Sequence, residues 1–170
     1  MSPEEVQLYE VVPGKLFAGE YPSSWEPELA VKRLDFVIGK GVTTFINLTT
    51  KHDRLEPYAD LLPDAGRDLK HLSFPVPDMD VPESDAVMRS VLDAIESENE
   101  AGRVCYVHCW GGIGRTGTAI GCYFREQGMD GEEALTMVQK LYGEGMPKVV
   151  RHPYSPQTRA QCDYVRGWEG

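Results

Sequence analysis

The chain has 170 residues, 41% hydrophobic and 26% charged, with a formal net charge of -10. These values describe one globular domain, residues 1–170, large enough to bury its own core. They argue against nucleic acid or an anionic membrane as the main partner, and no apolar run reaches the length of a membrane span. A locally positive pocket could still hold a phosphate. The four cysteines, Cys105, Cys109, Cys122 and Cys162, lack paired CxxC spacing, so a reducing compartment is expected rather than a disulfide or metal framework. MSPEEVQLYE at the start holds no apolar signal region, and a cytoplasmic monomer is expected.

No internal repeat, low-complexity tract or linker interrupts the chain. Residues 6–12 and 15–18 read as short strands around the turn Pro13-Gly14. Leu29, Leu34, Val37 and Ile38 recur at helical spacing within residues 28–40, and Gly41 supplies a stop. The β-branched run VTTFINL, residues 42–48, predicts a buried strand. Residues 56–65 make a short helix at best, because Pro63 interrupts them. A strand over 69–76 leads into the proline-rich turn FPVPDMDVP. Val87, Met88, Val91, Leu92 and Ile95 form one apolar stripe on a helix over 84–99. A strand over 103–108, a glycine-rich loop and a helix over 117–127 follow. Asp130 with Glu133 starts another helix, running to Tyr142, as an acidic capping box. Residues 143–154 read as a loop, and Ser155-Pro156 starts a last helix to Trp168. This alternation predicts an α/β sandwich: a mixed, partly parallel central sheet flanked by helices.

The chain is organised around VCYVHCWGGIGRTGT, residues 104–118. Strand, glycine loop and helix N-terminus together bind phosphate, and here the loop lies at the carboxyl end of its strand. Cys109 would sit among free backbone N–H groups at a helix mouth, where a thiolate nucleophile is favoured. Gly111, Gly112 and Gly114 let the backbone approach phosphoryl oxygens. Trp110 and Ile113 complete the loop, with Trp110 either on the pocket floor or packed beneath it. Arg115 can clamp two oxygens with its planar fork. Thr116 can donate a hydroxyl hydrogen bond to the thiolate, and His108 orients the loop through backbone hydrogen bonds. Cys105 lies about 13 Å along the same strand, too far for a disulfide with Cys109; with Cys122 and Cys162 it reads as packing. Ester cleavage also needs an acid for the leaving oxygen. Asp78 and Asp80 both stand in a stiff turn between Pro77 and Pro82, and spacing alone does not choose between them. Lys51, His52, Arg54, Lys148 and Arg151 read as solvated loop residues near the rim. No metal or other cofactor is called for.

HCWGGIGRT, residues 108–116, resembles the cysteine–five residues–arginine–serine/threonine signature of the protein tyrosine and dual-specificity phosphatase superfamily. It is nearest to the compact dual-specificity members, including the kinase-associated type. PGKLFAGEYP, FINLT, FPVPDMDVP and SPQTRAQCDYVRGW resemble that family's segments in the right order, so the likeness spans nearly the whole chain. It implies a protein tyrosine phosphatase-like sandwich that hydrolyses phosphate monoesters on phosphoproteins, or small phosphate esters, through a phosphocysteine. It implies Cys109 as nucleophile, Arg115 as clamp, Thr116 as the hydroxyl aiding the second step, and Asp78 as general acid with Asp80 in reserve. Gln157 and Gln161 resemble the glutamines that position water in tyrosine-specific relatives. The tyrosine-recognition loop of classical members has no counterpart, and the signature loop lacks the lysines of phosphoinositide-directed relatives.

Two other readings compete. GIGRTG, residues 112–117, matches the GxGxxG dinucleotide fingerprint after a strand, which would suggest an NAD-dependent oxidoreductase. The following element is a helix instead of a second parallel strand, and too little chain remains for that fold. An inactive phosphoprotein-binding module would usually have lost the cysteine, arginine or acid, and all three are present.

Overall fold

The protein is described here from a computed structural model, which describes residues 2–62 and 68–169. Ten main elements appear in chain order: β1 (Leu8–Val12), β2 (Leu16–Gly19), α1 (Pro27–Ile38), β3 (Thr44–Asn47), β4 (Lys70–Ser73), α2 (Asp85–Glu100), β5 (Cys105–His108), α3 (Gly114–Glu126), α4 (Gly131–Gly145) and α5 (Arg159–Gly167). Single 3-10 turns occur at Lys51–Asp53, Ala59–Leu61 and Pro147–Val150. The strands form one sheet in the order β1-β2-β5-β3-β4; only β1–β2 is antiparallel. The α/β class and the partly parallel sheet are as the alternation of patterns predicts.

The central strand β5 is buried on both faces, as parallel strands covered by helices are. Its alternate side chains enter two different cores. Cys105 and Val107 join Leu16, Ala18 and Ile46 against the stripe of α2 and against α3 and α4. Tyr106 joins Phe17 and Phe45 against Leu34, Val37 and Ile38 of α1. Across the sheet Gly19, His108 and Asn47 stand in register, so the strands end together at one carboxyl edge.

Several boundaries differ from expectation for identifiable reasons. β4 ends at Ser73, although Phe74 and Val76 still donate to Asn47 and Leu48; the intervening Pro75 has no N–H. α4 runs through Gly143 to Gly145, where the sequence predicts a loop. Its Gly145 lies so close to β1 that a Cβ would stand 2.6 Å from that of Tyr9. Asp130 caps α4 by accepting from Glu133 N. α5 starts at Arg159, not Pro156: Thr158 is its cap, in a reciprocal capping box with Gln161. Only a 3-10 turn, Ala59–Leu61, forms where residues 56–65 suggested a short helix; the part beyond residue 62 lies outside the described residues. No helix among the described residues is long and apolar enough to cross a membrane.

Candidate active site

Cys109 follows β5 directly, and α3 begins at Gly114, three residues earlier than predicted. Arg115 and Thr116 therefore stand in the first helical turn instead of the loop. The chain reverses at Gly112, whose φ is +77°. A Cβ there would lie 2.3 to 2.6 Å from the backbone of Gly19 and Glu20, so only glycine fits. Gly111 meets no such crowding. Gly112 N–H donates to Cys109 Sγ at 3.2 Å. A thiolate at this point faces the positive end of α3.

His108 lies under the loop, fully buried. Its Nδ1 contacts the Cys109 carbonyl oxygen at 3.1 Å and its Nε2 faces the Tyr58 hydroxyl. A carbonyl can only accept, so Nδ1 carries the proton and Tyr58 donates to Nε2. Burial, above all, pushes the imidazole down to about 3, and the ring is neutral. It stacks on Tyr106, and Tyr21 and Tyr58 pack around it. Cys105 is also buried, and desolvation lifts its thiol to about 12; Cys122 is buried and shifted upward in the same way. Both are poor thiolates, in keeping with packing roles.

Arg115 is 2% exposed. Its two terminal nitrogens each meet one oxygen of Asp53 at 2.9 Å, and Nη1 also donates to Val76 O at 3.0 Å. Nη2 further pairs with Asp78 Oδ1 at 3.1 Å, while Nε has no partner among the described residues. The guanidinium thus presents two faces. Its end is locked by Asp53; its Nε–Nη2 side offers one unused donor and one held by a half-exposed carboxylate. Sequence reasoning passed over Asp53, the residue that fixes this orientation. It closes a capping box with Thr50 on the Lys51–Asp53 turn. Desolvation acts to raise its carboxyl, but hydrogen bonds from Arg115 and Thr50 and the guanidinium charge prevail and hold it below the usual value.

The structure separates the two aspartates of the proline-rich turn. Asp78 lines the cleft and reaches Arg115. Asp80 turns its carboxylate onto Val81 N at 2.7 Å, and its carbonyl accepts from Gln161 Nε2 at 3.2 Å. Met79 between them holds a φ of +62°, unusual for a side chain with a Cβ.

Four expectations need correction. Thr116 is fully buried and its hydroxyl has no hydrogen bond among the described residues, to sulfur or otherwise; the early start of α3 turns the side chain into the protein. Gln161 is fully buried and consumed by structure: Oε1 accepts from the backbone of Gln157 and Thr158, and Nε2 holds the Asp80 carbonyl. Only Gln157 lines the cleft, beside Gly114. Lys148 is not a solvated loop residue. Its ammonium bridges Gly111 O and Glu20, both at 2.8 Å. Trp110, half-exposed, forms cleft wall and not floor. Arg54 and Arg151 are exposed at the cleft mouth. No cluster of three or more His, Cys, Asp or Glu among the described residues could hold a metal ion.

The fold resembles those of known phosphatases along most of the chain. Kinase associated phosphatase, solved with its catalytic-site cysteine replaced by serine, superimposes with a TM-score of 0.73 at 16% identity, covering 94% of this chain and 90% of that one. Tk-PTP in its active form gives 0.69 at 21%, covering 94% of each. PTPMT1 in complex with PI(5)P gives 0.71 at 18%, covering 94% and 92%. At such identities these likenesses establish the shared fold. The family profile described as "PTP-SAK: Swiss Army Knife protein, DSP-PTPase phosphatase domain" matches residues 7–162. The chain therefore belongs to the DSP-PTPase phosphatase family, and it is a cysteine-based phosphatase.

Proposed function

We propose that the enzyme hydrolyses phosphate monoesters on phosphorylated tyrosine, serine or threonine of proteins, through a phosphocysteine intermediate. The observation that carries this reading is the unused side of Arg115. Nε lacks a partner, and Nη2, held end-on by Asp53, has its second contact with the half-exposed Asp78, so a phosphoryl group that displaces Asp78 can take both side-on donors while Asp53 keeps the guanidinium oriented.

A phosphate entering the loop displaces Asp78 from Nη2, and the freed carboxylate takes up a proton from solvent beside the ester oxygen. Cys109 attacks phosphorus in line, the ester P–O bond breaks, and Asp78 gives its proton to the departing oxygen. The loop amides and Arg115 meet the charge on the equatorial oxygens. Water then attacks the phosphocysteine. Asp78, now ionised, takes the water proton, the P–S bond breaks and the thiolate leaves. The Gly112 amide, already turned to Cys109 Sγ at 3.2 Å, is the donor assigned to that leaving sulfur. Gln157, at the edge of the loop, is the residue left to orient the water. His108, neutral and held at both nitrogens, keeps the Cys109 carbonyl in place and moves no proton.

The test is turnover of p-nitrophenyl phosphate in EDTA under reducing conditions, comparing wild type with Cys109→Ser and Asp78→Ala. Turnover without metal, its loss in Cys109→Ser, and a slowing of ~10²–10⁴ in Asp78→Ala are expected. Trapping of a phosphoenzyme on rapid acid quench identifies the intermediate. A wild-type enzyme inert from pH 5 to 8 would refute the reading.

A further inference from the structure

We propose that the cleft around Cys109 is built for a polypeptide carrying the phosphate, with an apolar side chain next to the phosphorylated residue and acidic side chains beyond it. This rests on the phosphatase reading above and names the substrate class of the same site.

Size is the first argument. The cleft has a volume of about 1220 Å³. Ligand sites for small molecules run to roughly 1,000 Å³, and a phosphoryl group with a small alcohol would leave most of this cleft empty.

The second argument is apolar. Single exposed hydrophobic residues are ordinary. Here four of the seven large exposed ones among the described residues, Trp25, Met79, Trp110 and Val150, line one cleft. Trp25 is 64% exposed and Val150 88%. Such convergence at the mouth of a catalytic loop marks a contact surface, and it is continuous with the place where the phosphate must sit.

Charge chooses the occupant. The carboxylates of Glu20 and Asp53 within the cleft are engaged, by Lys148 and Arg33 and by Arg115. Arg54 and Arg151 line the mouth, and their side chains make no hydrogen bond or ion pair among the described residues. Glu56 is the single cleft carboxylate in the same condition. Two unpaired guanidinium groups face one unpaired carboxylate on a chain of net charge -10. A discrete acidic segment meets the local cations, whereas an extended anionic lipid surface meets the repulsive whole. The occupant is therefore an acidic phosphopeptide.

The experiment measures kcat/KM on four synthetic phosphopeptides that differ only beside the phosphoresidue: isoleucine or glycine at the adjacent position, glutamate or lysine beyond. p-Nitrophenyl phosphate and neutral vesicles doped with a phosphoinositide serve as further substrates. Wild type should prefer the isoleucine–glutamate peptide over the glycine–lysine peptide by about tenfold or more, a difference of about 1.4 kcal/mol. Arg151→Glu should collapse or invert the glutamate-to-lysine ratio, and Trp25→Ala should collapse the isoleucine-to-glycine ratio. Both readouts are ratios within one enzyme, so a general loss of activity cancels. Equal rates on all four peptides, or faster turnover of the vesicles than of the best peptide, would overturn the inference while p-nitrophenyl phosphate turnover left the phosphatase reading standing. Absence of turnover on every substrate would remove both.

Discussion

The two halves of the catalytic cleft are constructed on opposite terms. Residues 108–116, apart from half-exposed Trp110, lie inside the protein: His108, Arg115 and Thr116 are buried, and the loop is tied to other parts of the chain through Tyr21, Asp53, Tyr58 and Lys148. The turn carrying Asp78 lies on the surface, half-exposed, and reaches the site through one ion pair. One half is fixed before substrate arrives. The other makes a contact that the substrate itself must replace. Phosphate binding gains most from preorganised donors, whereas a proton donor has to change partners twice in a cycle.

That contrast can be broken by substitution. Arg115→Lys should cost most, about 10³-fold in kcat/KM, because a lysine supplies neither the side-on fork nor the locked end. Its thermal midpoint should fall as well, since Asp53 is left buried without its bidentate partner. Asp78→Asn should cost about 10² in kcat and remove one limb of the pH–rate profile, with the thermal midpoint unchanged. Asp80→Asn should behave as wild type. If Asp80→Asn proved the slower enzyme, the assignment of the two aspartates would be reversed.

Asp53→Asn addresses the lock alone. Loss of a charged hydrogen-bonded pair in a buried site should destabilise the fold by about 2 kcal/mol in denaturant titrations. Asp53 titrates below its ordinary value near 3.8 in the fold. Its contribution is present above that pH and is lost as pH falls through the lower folded value, so wild type and Asp53→Asn should converge in stability only there. His108 works over a higher window. Its folded value of about 3 lies below the ordinary 6.5, so the unfolded chain takes up the proton first. Stability should decline from about pH 6.5 downward, by about 2 kcal/mol at pH 5, and His108→Gln should flatten that slope. The smallest effect on stability among these belongs to Thr158→Ala, about 1 kcal/mol for a lost helix cap. It should loosen the Asp80 carbonyl through Gln161 and lower kcat more than the binding of inorganic phosphate.

The buried half was the part legible in the sequence. Strand, glycines, cysteine, arginine and helix are contiguous, and their chemistry follows from spacing. Even so, the start of α3 was misplaced by three residues, because glycines at 112 and 114 read as loop. The surrounding residues depend on the fold. Asp53 lies 62 residues from Arg115; Thr50-x-x-Asp53 reads locally as a capping box, but nothing local shows that its carboxylate also meets Arg115. Gln161 carried a readable signal: Thr158-x-x-Gln161 is a capping box. The nearby Ser155-Pro156 pattern drew the helix start three residues early, and a family likeness suggested a different use for the side chain. Gly145 looked like a loop former because the close approach of α4 to β1 is visible only in three dimensions.

Lys148 ties together parts of the chain made at very different times. Its ammonium holds Gly111 of the loop and Glu20, 128 positions earlier. A growing chain emerges N-terminal end first. When synthesis has passed α3, the whole sheet, Cys109, Arg115 and Asp78 are all available, but the Lys148 contact with the loop is not. This tie to the loop can form only after every strand of the sheet has been made. A chain cut before residue 148 should carry a complete signature on an unlatched loop.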